Sequence, residues 1–142
     1  MIATNVLRRA MRKIAEKKGE FALFALLRRA DAPFGHWDLV VSAGWLDRDR
    51  YKATTEIGNL LVETIGRKSL TQFARIEVIR DDNPGLKAVL TNFPVDDGEL
   101  RIQKTNLFGL DIEEGIIFRA KRLESKKTAR RALTAAGSRG RG

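Results

Sequence analysis

The chain has 142 residues, of which 43% are hydrophobic and 32% are charged, the size and balance of one globular domain with a single core. It has one histidine and no cysteine, which excludes disulfides, thiolate zinc sites, iron–sulfur clusters and cysteine nucleophiles. No apolar run approaches the roughly 18 residues of a membrane-spanning helix, and the N-terminus lacks the apolar segment of a secretory signal. We therefore expect a cytoplasmic protein, with an Arg-rich organelle transit peptide as the competing interpretation of the N-terminus.

The net charge of +9 is distributed unevenly along the chain. Residues 1–30 carry eight Lys or Arg and two acids, residues 31–118 carry ten and fifteen, and residues 119–142 carry nine and one. Two basic ends therefore flank a mildly acidic body. Clustered cations favour a polyanionic partner, because binding to phosphates releases condensed counterions. The competing interpretation is that these side chains only solvate exposed faces.

The first predicted element is an amphipathic helix from Thr4 to Lys18. Apolar residues recur at spacings of three and four, and the basic residues fall largely on the other side, which is typical of a helix with one basic face. Gly19 is a suitable C-terminal end. The apolar stripe consists of Val6, Leu7, Ala10, Met11 and Ile14, and the basic residues are Arg8, Arg9, Arg12, Lys13 and Lys17.

Two strands are predicted next. On periodicity alone, the apolar run of residues 20–30 is compatible with a strand or a helix. We choose a strand because a turn with Pro33 and Gly35 follows, and because the run from Trp37 to Ala43 contains β-branched residues. Together the two runs predict a hairpin with a long loop.

A second helix is predicted to end at Gly66, with Asp47 as its N-cap and Asp49 in its first turn. Gly58 lowers the stability of this helix by about 1 kcal/mol relative to alanine. Packing therefore has to stabilise it, through an apolar stripe that consists of Tyr51, Ile57, Leu60, Leu61 and Ile65.

A strand over residues 70–80, a turn and a short helix over residues 86–93 are predicted to follow. This short helix ends before Pro94, because the residue before a proline disfavours helical geometry. Residues 95–123 predict a second hairpin, in which Gly109 indicates a bulge or a bend near the turn.

This order of helices and strands favours an α+β fold. We expect a single domain over residues 1–124, with a mostly antiparallel sheet of about five strands and with helices packed on one face. Apolar residues become rare near residue 125, so residues 125–142 are predicted to form a basic, disordered tail.

The segment of residues 35–50, GHWDLVVSAGWLDRDR, contains the only histidine and both tryptophans. A nucleophilic Ser42 activated by His36 is not favoured, because no glycine-flanked elbow surrounds the serine. One histidine does not make a zinc site, and no phosphate-binding loop or dinucleotide fingerprint is present. We therefore predict no cofactor, and we expect Trp37 and Trp45 to be structural rather than stacking surfaces for bases.

A magnesium-dependent nuclease remains an alternative, because magnesium needs only oxygen ligands. The usual pattern of Glu, one residue and Lys is not met, since Ile79 follows Glu77 at the lysine position. The ordinary interpretation makes the acids turn formers, helix caps or strand ends. The carboxylates that such a site would use are Asp38, Asp47 or Asp49, and Glu77.

Our leading hypothesis is a non-enzymatic protein that binds nucleic acid, DNA or RNA, mostly through backbone phosphates. The basic helix would form the folded part of the contact and the tail a mobile clamp. The terminal SRGRG is similar to the arginine-glycine segments that bind RNA. The residues assigned to the site are Arg8, Arg9, Arg12 and Lys13 in the helix, and Lys126, Lys127, Arg130, Arg131, Arg139 and Arg141 in the tail.

A second hypothesis is a protein-interaction or regulatory subunit. Its basic helix would dock on an acidic partner, on another copy or on the domain's own acidic body, with part of the apolar stripe in an interface. Anionic membranes also bind basic amphipathic helices, but this helix has no aromatic anchor, so a membrane partner is not expected. The leading hypothesis requires the two basic ends to lie on one face.

Overall fold

The computed structural model of the protein describes residues 3–32 and 36–122. The predicted tail and its boundary at residue 124 lie outside this range. No helix within the range is long and apolar enough to cross a membrane. The helices are α1 (Thr4–Lys18), α2 (Arg50–Ile65), α3 (Arg67–Leu70) and α4 (Pro84–Asn92), and the strands are β1 (Leu23–Arg29), β2 (Trp37–Ser42), β3 (Phe73–Val78), β4 (Leu100–Leu107) and β5 (Leu110–Ala120).

The five strands form one sheet in the order β3-β2-β1-β5-β4. Strand β1 pairs antiparallel with β2 and with β5, and β4 pairs antiparallel with β5. Strand β3 is parallel to β2, because the crossover through α2 returns the chain to the end of the sheet where β2 began. The predicted α+β class with a mostly antiparallel five-stranded sheet is confirmed.

Both predicted hairpins are present. The second one turns through Phe108 and Gly109, whose φ angles are 55° and 74°. Positive φ at both central residues is the geometry of the tight turn that suits the twist of two antiparallel strands. Gly109, which the sequence placed at a bend, is therefore the second residue of the turn itself.

The sheet is covered on both faces. Helices α1 and α2 pack on one face, while α4 packs on the other face through Leu86 and Val89, so the prediction that the helices share one face is wrong for α4. The position of α4 follows from β1, where every residue from Leu23 to Leu27 is buried. A strand that is apolar on both sides needs cover on both sides.

The ends of the helices follow the capping residues. Helix α1 has the predicted bounds and ends at Gly19. Helix α2 begins later than predicted, because Asp49 rather than Asp47 is its N-cap. The Asp49 side chain accepts hydrogen bonds from the backbone N–H groups of Tyr51 and Lys52 at 2.9 and 3.1 Å. Asp47 instead accepts one from the backbone N–H of Asp49 at 2.7 Å.

This assignment of the cap predicts unequal effects of two similar substitutions. Asp49→Ala is expected to lower the free energy of unfolding by about 1 kcal/mol, because two N–H groups at the start of α2 lose their acceptor. Asp47→Ala is the matched control and is expected to cost less, since it removes one bond outside the helix. Urea unfolding of both variants measures the difference, and a larger loss in Asp47→Ala would contradict the assignment.

Candidate functional site

Helix α1 is held against the sheet by the apolar stripe that the sequence predicts. Leu7, Ala10, Met11 and Ile14 are at most 5% exposed, whereas Val6 is 36% exposed. Burying four side chains on one helix face fixes the orientation of the opposite face. The stripe therefore packs in the domain's own core, and the basic residues lie around the exposed side of α1.

Arg8 and Arg12 contact a carboxylate of their own domain. The Nε and Nη2 atoms of Arg12 donate hydrogen bonds to Oδ2 of Asp97 at 3.1 and 2.9 Å, and Nη2 of Arg8 lies 3.4 Å from Oδ1. Slight burial raises the pKa of Asp97, but the hydrogen bonds and charges of Arg12, and then those of Arg8, lower it by a larger amount. The pKa of Asp97 is therefore below the ordinary value of an aspartate. Asp97 is therefore ionised at neutral pH and half-exposed beside two predicted site residues.

The other cations of α1 differ in their partners. Nζ of Lys17 lies 3.1 Å from Oε2 of Glu63 on α2, and Lys18 makes a similar pair with Glu56. Within the described part of the chain, Arg9 and Lys13 are exposed and form no ion pair. Positions 9, 13 and 17 are each four residues apart, so these cations form one line of about 12 Å along the helix.

The last described residues of the chain lie beside the same loop as the α1 arginines. This loop, residues 93–99, joins α4 to β4, and its Val95 pairs with Ala120 at the end of β5. Within it, Oδ1 of Asp96 accepts hydrogen bonds from Arg119 at 3.0 Å and from Lys121 at 3.3 Å. Asp96 is next to the residue that binds α1. The 93–99 loop therefore contacts the basic helix on one side and Arg119 and Lys121, close to the last described residue, on the other.

The six predicted tail residues lie outside the described range. Near the end of the described range, Lys121 pairs with Asp96, the residue next to the Asp97 that holds the α1 arginines. The four predicted helix residues lie on the side of α1 away from the core. Arg8 and Arg12 are paired with Asp97, whereas Arg9 and Lys13 form no ion pair among the described residues. The tail residues outside the described range are Lys126, Lys127, Arg130, Arg131, Arg139 and Arg141.

Sequence reasoning missed one exposed aromatic residue. Tyr51 was assigned to the buried stripe of α2, but its residue surface is 80% exposed. It lies six residues before the buried Ile57, which at 100° per residue places it about 120° away around the helix. A stricter count of helical angles would have indicated this. Tyr51 borders a groove of about 460 Å³ between α1 and α2, which is also lined by Lys17, Lys18 and Lys52.

Asp38 and Glu77, two acids of the nuclease alternative, share the Arg75 guanidinium and are held in ion pairs. Asp38 is 2% exposed, and its Oδ2 accepts hydrogen bonds from Nε of Arg29 at 2.9 Å and Nε of Arg75 at 3.2 Å. Glu77, on the same sheet face, is paired with Arg75 and with Arg50. Among residues 3–32 and 36–122, no group of three or more His, Asp or Glu side chains could hold a metal ion.

Asp38 is the second residue of β2, in agreement with its interpretation as a strand-end residue, but its ionic partners were not predicted. It lies opposite Leu27 on β1 and Arg75 on β3 in the sheet register. Arg29, two residues after Leu27 on β1, and Arg75 on β3 therefore both reach its carboxylate. A lone acid inside an apolar strand was the available signal, since such a group is buried only when it is paired.

The remaining candidate residues of the 35–50 segment are the histidine, the serine and the two tryptophans, and they do not come together in one site. His36 precedes β2 and Ser42 ends it, so about 20 Å of extended chain separates them. Trp37 packs against the core. Nε1 of Trp45 donates a hydrogen bond to the backbone oxygen of Gly19 at 2.9 Å. Both tryptophans therefore pack within the domain, as predicted.

The chain was compared with protein-family models, with curated proteins and with solved structures, and none of the three comparisons found a match.

Proposed function

We propose that the protein binds nucleic acid through backbone phosphates, using the exposed side of α1 and the basic tail as one surface. The observation that carries this proposal is the 93–99 loop, which contacts both the arginines of α1 and Lys121, close to the last described residue. Cations from both ends of the chain can then meet one polyanion. No catalytic step is part of the proposal, and the cytoplasm is its expected location.

The ion pairs of Arg8 and Arg12 are compatible with this function. Both are surface pairs, with 29% and 52% of the arginine side chains exposed, and such pairs stabilise a protein by about 0–1 kcal/mol. A phosphate can therefore replace Asp97 at little cost. In the absence of a ligand, the same carboxylate holds the two guanidinium groups in place beside Arg9 and Lys13.

Neutralising the unpaired cations of α1 should weaken binding in a salt-dependent way. In the full chain, the double variant Arg9→Gln, Lys13→Gln is expected to reduce the slope of log affinity against log salt by about 1.8 for duplex DNA, because each lost phosphate contact removes about 0.9. Fluorescence anisotropy of labelled DNA and RNA, single- and double-stranded, over a salt series measures this slope.

The matched control removes two exposed cations of α3. Arg67→Gln, Lys68→Gln changes α3 by the same charge, and both residues are exposed, so its slope should equal that of the unchanged protein. Weak binding of the unchanged protein to all four ligands at low salt, without dependence on salt, would refute the proposed function. An equal loss in both double variants would show that only net charge matters.

A further inference from the structure

The groove between α1 and α2 combines an exposed aromatic ring with a row of cations. Tyr51 and Val6 are the exposed large hydrophobic side chains among the described residues, and Tyr51 is much the more exposed, at 80% against 36%. Its backbone is fixed in the first turn of α2 by the Asp49 cap. A flat, apolar side chain is therefore presented to solvent from a rigid element.

The charges that surround this ring suit a polyanion. Lys17 and Lys18 line the groove from α1, and Lys52 lines it from α2. Lys17 also ends the line of exposed cations that starts at Arg9, so the cations of α1 lead directly to the ring. The two glutamates of the groove form surface ion pairs with the α1 lysines, which are weak enough for phosphate to displace.

We propose that this groove binds single-stranded nucleic acid, with a base stacked on Tyr51 and the adjoining phosphates along Lys17 and Lys13. This inference rests on the proposed function and specifies its substrate. Stacking on a protein side chain requires an unpaired base, because the faces of bases in a duplex are covered by their neighbours. The aromatic ring therefore adds affinity for a single strand only.

The test compares stacking with charge in the full chain. The probe is a labelled single-stranded oligothymidylate of about 12 nucleotides, within the usual site size of such proteins. Tyr51→Ala is expected to weaken its binding roughly 5- to 150-fold, the effect of removing one base-stacking residue. The salt slope should not change, because no cation is lost. Tyr51→Phe, which keeps the ring, should bind as the unchanged protein does.

Two controls separate a stacked base from other causes. Val6→Ala removes the other exposed large hydrophobic side chain and should leave affinity unchanged. An abasic strand of equal length keeps its phosphates and lacks bases, so Tyr51→Ala should bind it as tightly as the unchanged protein does. Circular dichroism and thermal unfolding check that the exposed substitutions leave the fold intact.

The possible outcomes distinguish this inference from the function on which it rests. Salt-dependent binding that Tyr51→Ala does not weaken would overturn the stacking site and leave phosphate binding in place. No salt-dependent binding of the oligothymidylate, of the abasic strand or of any of the four DNA and RNA ligands would overturn both. If Tyr51→Ala weakens binding of polyglutamate as much as binding of the oligothymidylate, the groove is a docking site for an acidic protein, and the inference is wrong.

Discussion

Asp38→Ala is expected to lower the free energy of unfolding by about 3 kcal/mol, the lower end of the range for breaking a buried ion pair. The Asp38 carboxylate is almost fully buried, and two guanidinium groups from neighbouring strands converge on one of its oxygens. Removing it leaves two cations close together without their shared partner. The loss should not reach the upper end of the range, because Arg29 and Arg75 keep 22% and 43% of their side-chain surface exposed.

Asp31→Ala provides the matched control, because the same arginine is involved. Oδ1 of Asp31 lies 3.5 Å from Nη1 of Arg29, and its side chain is 79% exposed. An exposed pair of this kind contributes about 0–1 kcal/mol. Urea unfolding of the two variants should therefore separate them by about 2 kcal/mol or more. Equal midpoints would mean that Asp38 contributes no more than a surface acid.

Phe118→Ala is expected to have an effect of similar or larger size, about 3–5 kcal/mol. Phe118 is fully buried in β5, and its ring meets that of Phe24 edge to face with centroids 6.2 Å apart. Alanine would leave a cavity in the core on the α1–α2 face of the sheet, which the surrounding side chains close only in part. The variant should remain folded in buffer, and the loss of unfolding free energy would be measured as a lower urea midpoint.

Phe118→Leu is the control for this substitution. Leucine keeps most of the apolar volume, so a smaller cost is expected. If the alanine and leucine variants unfold at the same denaturant concentration, the cavity is not the cause of the loss. Phe118→Tyr adds a buried hydroxyl without a cavity and should destabilise the protein for a different reason, the cost of an unpaired polar group.

Local signals in the sequence were sufficient for most of the fold. Helix α1 was predicted with its observed bounds because its apolar spacing is regular and a glycine follows its last turn. The apolar residues of residues 95–123 likewise indicated the second hairpin, although Gly109, predicted at a bulge or bend near the turn, is the second residue of the turn itself. These features depend on neighbouring residues, which a single sequence displays directly.

The arrangement of elements was less accessible, because it depends on residues far apart in the chain. No local pattern states that β3 pairs in parallel with β2 at the edge of the sheet. The burial of both faces of β1 was visible as an unbroken apolar run, but periodicity could not distinguish that run from a helix. The position of α4 on the second face depends on this burial of both faces of β1, so it could not be predicted either.

In the candidate site too, local features could be predicted and contacts between distant residues could not. The basic side of α1 could be predicted from its spacing, and Arg9 and Lys13 are exposed there. The ion pairs of Arg8 and Arg12 could not, because Asp97 is more than eighty residues away. The contact of Arg75 with Asp38 was missed because the two residues lie on different strands, and that of Arg29, nine residues away, because the register of the hairpin was not predicted. A net charge counts side chains and does not show which of them are already paired within the fold.

The 93–99 loop is expected to make the proposed surface bind long anions better than short ones. Asp97 already contacts Arg8 and Arg12 of α1, and Asp96 contacts Arg119 and Lys121 near the end of the described range. Under the proposed function, a single small anion that displaces one carboxylate would replace one charge pair by another and gain little. A long polymer of phosphates would displace both carboxylates and also reach Arg9 and Lys13, which have no ion-pair partner among the described residues. We therefore expect the acidic loop to compete with ligands and to favour chain-like anions over small ones.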